Sequence, residues 1–427
     1  MNGNLYELFR SRFPADRAAS FIETDGGRRH SYAQLEEWSG RFQRLLVELG
    51  VEPGDRVAVQ AEKSPEAIFL YLACLRAGAV YVPLNPAYRR SEVEYFLADS
   101  EPTVVVAAPE LEAAALAAAA KACVRHVLTL GQAGDGTAVQ RSESLDPNVE
   151  PARVDRDQLA ALLYTSGTTG RSKGAMMSHG NLASNALALH TSWGFRPGDV
   201  LLHALPIYHT HGLFVATHCV LLNGTGMLFL PRFDVDAVVG LLPRATVFMG
   251  VPTYYTRLLA HPGLTSEWCR PVRLFISGSA PLLADTFERF RLATGHTILE
   301  RYGMTEAGMI TSNPLDGERV AGSVGPPLPG VVARVADESG AALPNGQIGV
   351  LEIKGPNVFR GYWRQAEKTR AEFRPDGFFI TGDLARIEPS GYVTLVGRAK
   401  DLIISGGLNV YPKEIEQTID GIDGVAE

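Results

Sequence analysis

Apolar residues recur at helical spacing near the start of the chain: Tyr32, Leu35, Trp38, Phe42, Leu45 and Leu46. That periodicity predicts an amphipathic helix following a turn near Arg29. Residues 54–56 read as a turn and residues 57–59 as the start of a strand. An apolar helix is expected over 67–78, a short buried strand over 81–84, a helix over 92–99 and a strand over 103–107. Helix alternating with strand implies a parallel sheet covered on both faces. The alanine-rich run 110–123 predicts an exposed helix, since alanine has the best helix propensity. Residues 131–157, poor in apolar side chains, read as a loop or linker.

A second alternating block follows. The run Leu159 to Leu163 reads as a buried strand; residues 179–189 and 212–222 read as helices. Strands are expected over 201–205, 226–230, 246–249, 274–277 and 298–300. From about Gly325 the pattern changes to short strands (331–335, 348–353, 378–380 and 392–396) split by Gly, Pro and Asp turns, the mark of a small β-subdomain. A helix begins at Pro412. The expected architecture is α/β: two doubly wound halves, 1–158 and 159–324, then a β-subdomain, 325–399. From Lys400 to Glu427 there is room for only the beginning of a further α+β domain.

Length and composition narrow the class. At 427 residues, two or three subdomains are expected. A formal charge of −7 argues against a nucleic-acid footprint, which needs a basic face. Cys74, Cys123, Cys219 and Cys269 lack metal-pair spacing and read as reduced thiols of a cytoplasmic protein. No run approaches a membrane span, and the N-terminus lacks the layout of a secretory signal.

Chemistry concentrates first at Tyr164 to Gly174. Gly167 and Gly170 let backbone N–H groups converge on an anion. Thr165, Ser166, Thr168, Thr169 and Ser172 offer hydroxyls, and Arg171 and Lys173 offer charge. Counted from Gly167, Ser172 replaces the second glycine of a Walker loop, and Gly174 replaces its Ser/Thr. The segment therefore reads as a phosphate loop of another kind, the alternative being a polar surface turn. The second motif is Glu300 to Glu306, ending in Thr305 and a carboxylate suited to magnesium. A helix start capped by Thr305 is the competing reading. The third is Phe379 to Asp383, whose carboxylate can accept hydrogen bonds from a ribose diol. The fourth is Gly397 to Ile403 with Gly406 and Gly407.

These four motifs, in this order, resemble the adenylate-forming superfamily of acyl-CoA synthetases, peptide-synthetase adenylation domains and luciferases. Minor stretches agree along essentially the whole chain: Gly54 to Val57, Arg76 to Asn85, Ser277 to Pro281 and Gly361 to Trp363. The resemblance implies that 165–173 holds the β- and γ-phosphates of ATP. Ser277, Gly278, Ser279, Ala280 and Pro281, with Tyr302, would frame adenine. Thr305 would contact the α-phosphate, Glu306 would bind Mg2+, Asp383 the ribose, with Arg398 beside it, and Lys400 would be a hinge. A substrate carboxylate attacks the α-phosphorus and expels pyrophosphate; coenzyme A then takes the acyl group and AMP leaves. Cations and backbone donors offset the repulsion among the anions.

Two side chains bear on which acid is activated. Arg301 precedes Tyr302, and a guanidinium beside an acyl site is costly without an anion. It suits a second carboxylate, gripped in bidentate fashion; a structural salt bridge, with Glu300 or another acid, is the alternative. His209 in Leu205 to Gly212 borders the acyl pocket by the same resemblance and is favoured over His211, although a satisfied core histidine is equally compatible with the residues alone. Together the patterns Ala204 to Val215 and Leu299 to Glu306 resemble the malonyl-CoA synthetases within the superfamily. On that resemblance Arg301 holds the distal carboxylate of malonate, helped by His209 and Arg171, with Met309 at the pocket and Lys173, Thr305, Glu306 and His209 in the catalytic group. Ala307 and Gly308, smaller than usual there, could enlarge the pocket for methylmalonate. Relatives continue into a further subdomain with a catalytic lysine beyond residue 427. The chain as given is thus expected to bind ATP and malonate but adenylate poorly.

Overall fold

The computed structural model describes residues 2–165 and 171–401, and more sparsely 403–405, 408–410, 415, 418–419, 422 and 425. Ser166 to Gly170 of the phosphate loop, and most of the helix expected from Pro412, lie outside the described residues.

One helix shows how local signals place an element. Ser64 caps Pro65–Ala77 by accepting from the Ala67 N–H, proline occupies the first turn, and Gly78 ends it at φ 70°. The helix is buried on every side, as its all-round apolar sequence demands. Tyr32–Glu48, opened by a Ser31/Gln34 capping box, packs against it.

Two mixed sheets carry the helices. The first has six strands in the order His126–Thr129, Val104–Ala107, Arg56–Gln60, Val80–Pro83, Leu159–Thr165 and Lys173–Ser178. The second has eight: Gly308–Ser312, Ile298–Met304, Leu274–Ser277, Val247–Gly250, Val200–His203, Gly226–Phe229, Ser20–Thr24 and Arg29–Ser31. The inner strands are parallel, and antiparallel hairpins close one edge of the first sheet and both edges of the second. A four-stranded antiparallel sheet (Val332–Ala336, Ile348–Lys354, Phe379–Ile387, Val393–Arg398) forms the β-subdomain, with Ile403–Ser405 and Leu408–Val410 beyond it. One apolar core runs from Leu5 through Tyr71, Leu182 and Leu213 into Leu351 and Phe379, joining all three units.

The division at residue 158 needs correcting. Leu159–Thr165 pairs with Val80–Pro83 and belongs to the first sheet, whereas Ser20–Thr24 pairs with Gly226–Phe229 and belongs to the second. Each sheet recruits an edge from the other half of the chain. The 131–157 loop also contains a short helix, Thr137–Ser142. The alanine-rich helix, Glu112–Lys121, buries Ala115, Ala118 and Ala119.

Candidate active site

Two of the sequence motifs are flanked by antiparallel strand pairs at sheet edges. Leu159–Thr165 and Lys173–Ser178 flank the phosphate loop, and Ile298–Met304 and Gly308–Ser312 flank Thr305 and Glu306. The second motif is therefore a β-turn, and the reading of Thr305 as a helix cap falls. Two glycines make this hairpin possible. A Cβ on Gly303 would lie 2.3 Å from the Gly308 carbonyl oxygen, and Gly308 sits at φ 60° with Asn185 Oδ1 2.6 Å from where its Cβ would be. A side chain at Gly308 would thus be strained by its backbone and would meet Asn185.

The turn faces a cavity of about 460 Å³ lined by Thr165, Lys173, Thr305, Glu306, Thr381 and Lys400, among others. Lys400 stands in the 3-10 turn Ala399–Asp401. Glu306 is buried, and its Oε1 accepts from Tyr362 Oη at 3.0 Å. Burial raises the Glu306 pKa, with the neighbouring Glu372 charge adding to the effect. The same Tyr362 hydroxyl lies 2.7 Å from Glu372 Oε2. One phenolic proton cannot serve two ionised carboxylates at once. Lys173 Nζ is 3.3 Å from Glu372 Oε1 and 4.7 Å above the Tyr362 ring.

A neighbouring cavity of about 330 Å³ shares Gly303 and Arg398 with the first and is lined by Ser279, Ala280, Pro281, Arg301, Tyr302 and Asp383. Asp383 comes from the β-subdomain. Its carboxylate accepts a short hydrogen bond from Tyr302 Oη and pairs with Arg398 Nε at 2.8 Å. Burial raises its pKa, while Tyr302 and Arg398 oppose the rise. Ser277 and Gly278 are buried behind this wall, and Ser279 holds φ 74°, a strained value for a non-glycine.

Arg301 is 2 % exposed, and its Nε and Nη2 have no hydrogen-bond partner. No ion pair to it occurs among the described residues, so the salt-bridge alternative does not hold there. Its guanidinium lies against Gly278, where a Cβ would be 2.5 Å from Cζ. Burial lowers its pKa to about 9.

The two histidines differ in burial. His209 is exposed and packs on Tyr208 at 4.5 Å between ring centroids. His211 is buried, its Nδ1 lies 3.3 Å from Ser279 Oγ, and its Nε2 has no partner. Burial, then the Arg301 charge, hold His211 neutral well below its ordinary range. His211 opens a π-helical stretch, His211–Thr217, a local form common at functional sites. His203 anchors it: Nε2 is 3.0 Å from the Gly212 carbonyl, while Nδ1 is 2.9 Å from the buried Lys63 Nζ. Arg171 is exposed, lies over the Tyr95 ring at 5.8 Å and lines neither cavity, so it does not join Arg301. Met309 is buried with its terminal methyl against Gly303.

Sequence reasoning missed Glu372 and Lys63 and passed over His211. Tyr362 stood within a noted stretch, Gly361 to Trp363, without a role. The Tyr–His–Thr–His order contains both histidines, and only burial tells them apart.

Two adjoining cavities thus bring together Asp383, Arg398, Lys173 and Glu306 from separate parts of the chain. The chain belongs to the AMP-binding enzyme family, which matches residues 8–363. Among curated relatives, a feruloyl-CoA synthase from an Amycolatopsis species is 36% identical over 94% of this chain and 80% of its own length. A malonate–CoA ligase from Arabidopsis thaliana is 33% identical over 100% of this chain and 76% of its own. Among solved structures, ATP-bound MatB from Rhodopseudomonas palustris is 56% identical, with a TM-score of 0.97 over 100% of this chain and 84% of that one. Among the described residues no helix is long and apolar enough to cross a membrane.

Proposed function

We propose that this enzyme ligates malonate to coenzyme A through a malonyl-adenylate, consuming ATP and releasing pyrophosphate and AMP. The observation that carries this reading is Arg301: a buried guanidinium with two unpartnered nitrogens and no ion pair among the described residues. Leaving such a charge unpaired is expensive, whereas a carboxylate repays it with charge-assisted bonds. Arg301 stands two positions from Gly303, which with Arg398 is common to both cavities, or about 7 Å of strand. A dicarboxylate with a short spacer, such as malonate, would put one carboxylate on Arg301 and leave the other to react.

The steps follow from the placement of these residues. Ser279 to Pro281 and Tyr302 border the nucleobase, and Asp383 takes the ribose hydroxyls. Lys173 and the phosphate loop draw the polyphosphate into the neighbouring cavity. One malonate carboxylate stays on Arg301, with the neutral His211 Nε2 beside it. A carboxylate oxygen of the other bonds to the α-phosphorus as the bond to pyrophosphate breaks. Thr305, which lines the polyphosphate cavity, stabilises the α-phosphate oxygens. The thiolate of coenzyme A, its proton lost to solvent, then bonds to the carbonyl carbon and AMP departs. Glu306 suits Mg2+, which takes one or two carboxylates and completes its shell with phosphate oxygens and water. When bound, it neutralises charge on the polyphosphate.

Similarity to a feruloyl-CoA synthase favours a second reading, activation of an aryl acid. An aryl group would leave Arg301 without an anion. Calorimetric binding and pyrophosphate release, run across malonate, methylmalonate, acetate, benzoate and ferulate, separate the two. Malonate is expected to bind best, and Arg301→Ala to weaken it by about 3 to 5 kcal/mol while leaving monocarboxylates within a few-fold. Preference for ferulate, retained in Arg301→Ala, would establish the aryl reading instead.

A further inference from the structure

The carboxylate of Glu372 has no part in the steps above, yet it lines the polyphosphate cavity and holds Lys173, one of that cavity's cations. We infer that Glu372 is a counter-ion latch: it retains Lys173 when no polyphosphate is present and yields it when polyphosphate binds. The inference rests on the assignment of that cavity to ATP.

Three contacts support the latch. Glu372 Oε1 is 3.3 Å from Lys173 Nζ and 2.8 Å from Lys368 Nζ, and Oε2 is 2.7 Å from Tyr362 Oη. Lys173 lies on the Tyr362 ring face, so ring and carboxylate hold the ammonium together. Burial pushes the Glu372 carboxyl up, but Lys368, Tyr362 and Lys173 outweigh it and keep the group below its ordinary range. Glu372 is therefore an anion across neutral pH.

Exchange is feasible because Glu372 is not stranded when Lys173 leaves. Lys368, one helical turn away, and Tyr362 remain on the carboxylate. Glu372 is then left facing the β- and γ-phosphates in the cavity it lines. Like charges there weaken ground-state nucleotide binding and favour departure of pyrophosphate. Glu372 is thus a positioning residue acting through Lys173. AMP, which lacks the outer phosphates, does not compete for Lys173.

The test measures ATP and AMP affinities by calorimetry for the wild type and two variants. Glu372→Gln keeps the shape and a hydrogen-bond acceptor for Tyr362 but removes the charge. It is expected to tighten ATP roughly three- to tenfold, the range of a partly buried ion pair, with AMP unchanged and pyrophosphate release slowed. Lys368→Met removes the second cation and is expected to shift ATP affinity the opposite way, weakening it. A merely structural Glu372 would weaken ATP and AMP together, and that outcome, or unchanged ATP affinity in Glu372→Gln, overturns the latch. Should Glu372→Gln fail to fold, the sign of the Lys368→Met shift decides. A wild-type protein that does not bind ATP refutes the ATP reading itself, which keeps the two failures distinct.

Discussion

At the scale of single residues, the site is a set of groups held away from their comfortable charge states. Glu306 shows the consequence. Its folded pKa lies above the ordinary 4.5 because of burial. The protonated form thus favours the fold: its stabilisation is complete below the unfolded pKa and is lost as pH rises through the folded one. At neutral pH without cation or nucleotide, ionised Glu306 burdens the structure. Glu306→Gln should therefore be more stable at pH 7, with the difference shrinking toward pH 4, while pyrophosphate release falls steeply. Urea melts from pH 4 to 8 check this, and a less stable variant at pH 7 would mean that the Tyr362 hydrogen bond dominates. His211 and His209 offer a second contrast. Removing the buried His211 side chain should weaken malonate about tenfold, as expected for one hydrogen bond to a charged group, whereas His209→Ala should change binding little. Equal effects in titrations of the two variants would return the role to His209.

At the scale of elements, the strong periodicities read correctly and the hairpins did not. Tyr32–Glu48 and Pro65–Ala77 carry apolar spacing and caps that act within one segment, so the sequence alone suffices for them. Lys173–Ser178 and Gly308–Ser312 show no alternation, because each is buried on both faces at a sheet edge that other elements cover. Their strand character comes from pairing. The hairpin around Thr305 depends on Gly308, at φ 60° and close to Asn185. Gly308→Ala should cost about 1–3 kcal/mol from backbone strain alone and displace Glu306, measured as a lower melting temperature together with weaker Mg·ATP binding. A variant with unchanged melting would show that the turn can relax.

At the scale of the whole molecule, the nucleotide cavity is a joint between units. Tyr302 of the second sheet meets Asp383 of the β-subdomain, 81 residues on, and Lys173 of the first meets Glu372, 199 residues on. Nucleotide should consequently brace all three. A hundredfold excess of ATP over its Kd is worth about 2.7 kcal/mol, seen as a rise of a few degrees in melting temperature. Asp383→Asn should lose most of that rise, while its unliganded melting temperature stays close to wild type. An undiminished rise would place the ribose elsewhere.

The sequence by itself determined the α/β class, the β-subdomain and the order of the motifs, because helix periodicity, caps, turn residues and short-range spacing act between near neighbours in the chain. Tertiary structure decided which sheet owns residues 20–31 and 159–178, that His211 rather than His209 stands beside Ser279 near Arg301, and that Arg171 turns away to Tyr95. It also decided that Arg301 is buried without an acid partner among the described residues, and that Glu372 holds Lys173. These are matters of burial and of pairing across long separations. A linear pattern records which charges and hydroxyls are present, but only packing fixes which of them lose water and which find a partner.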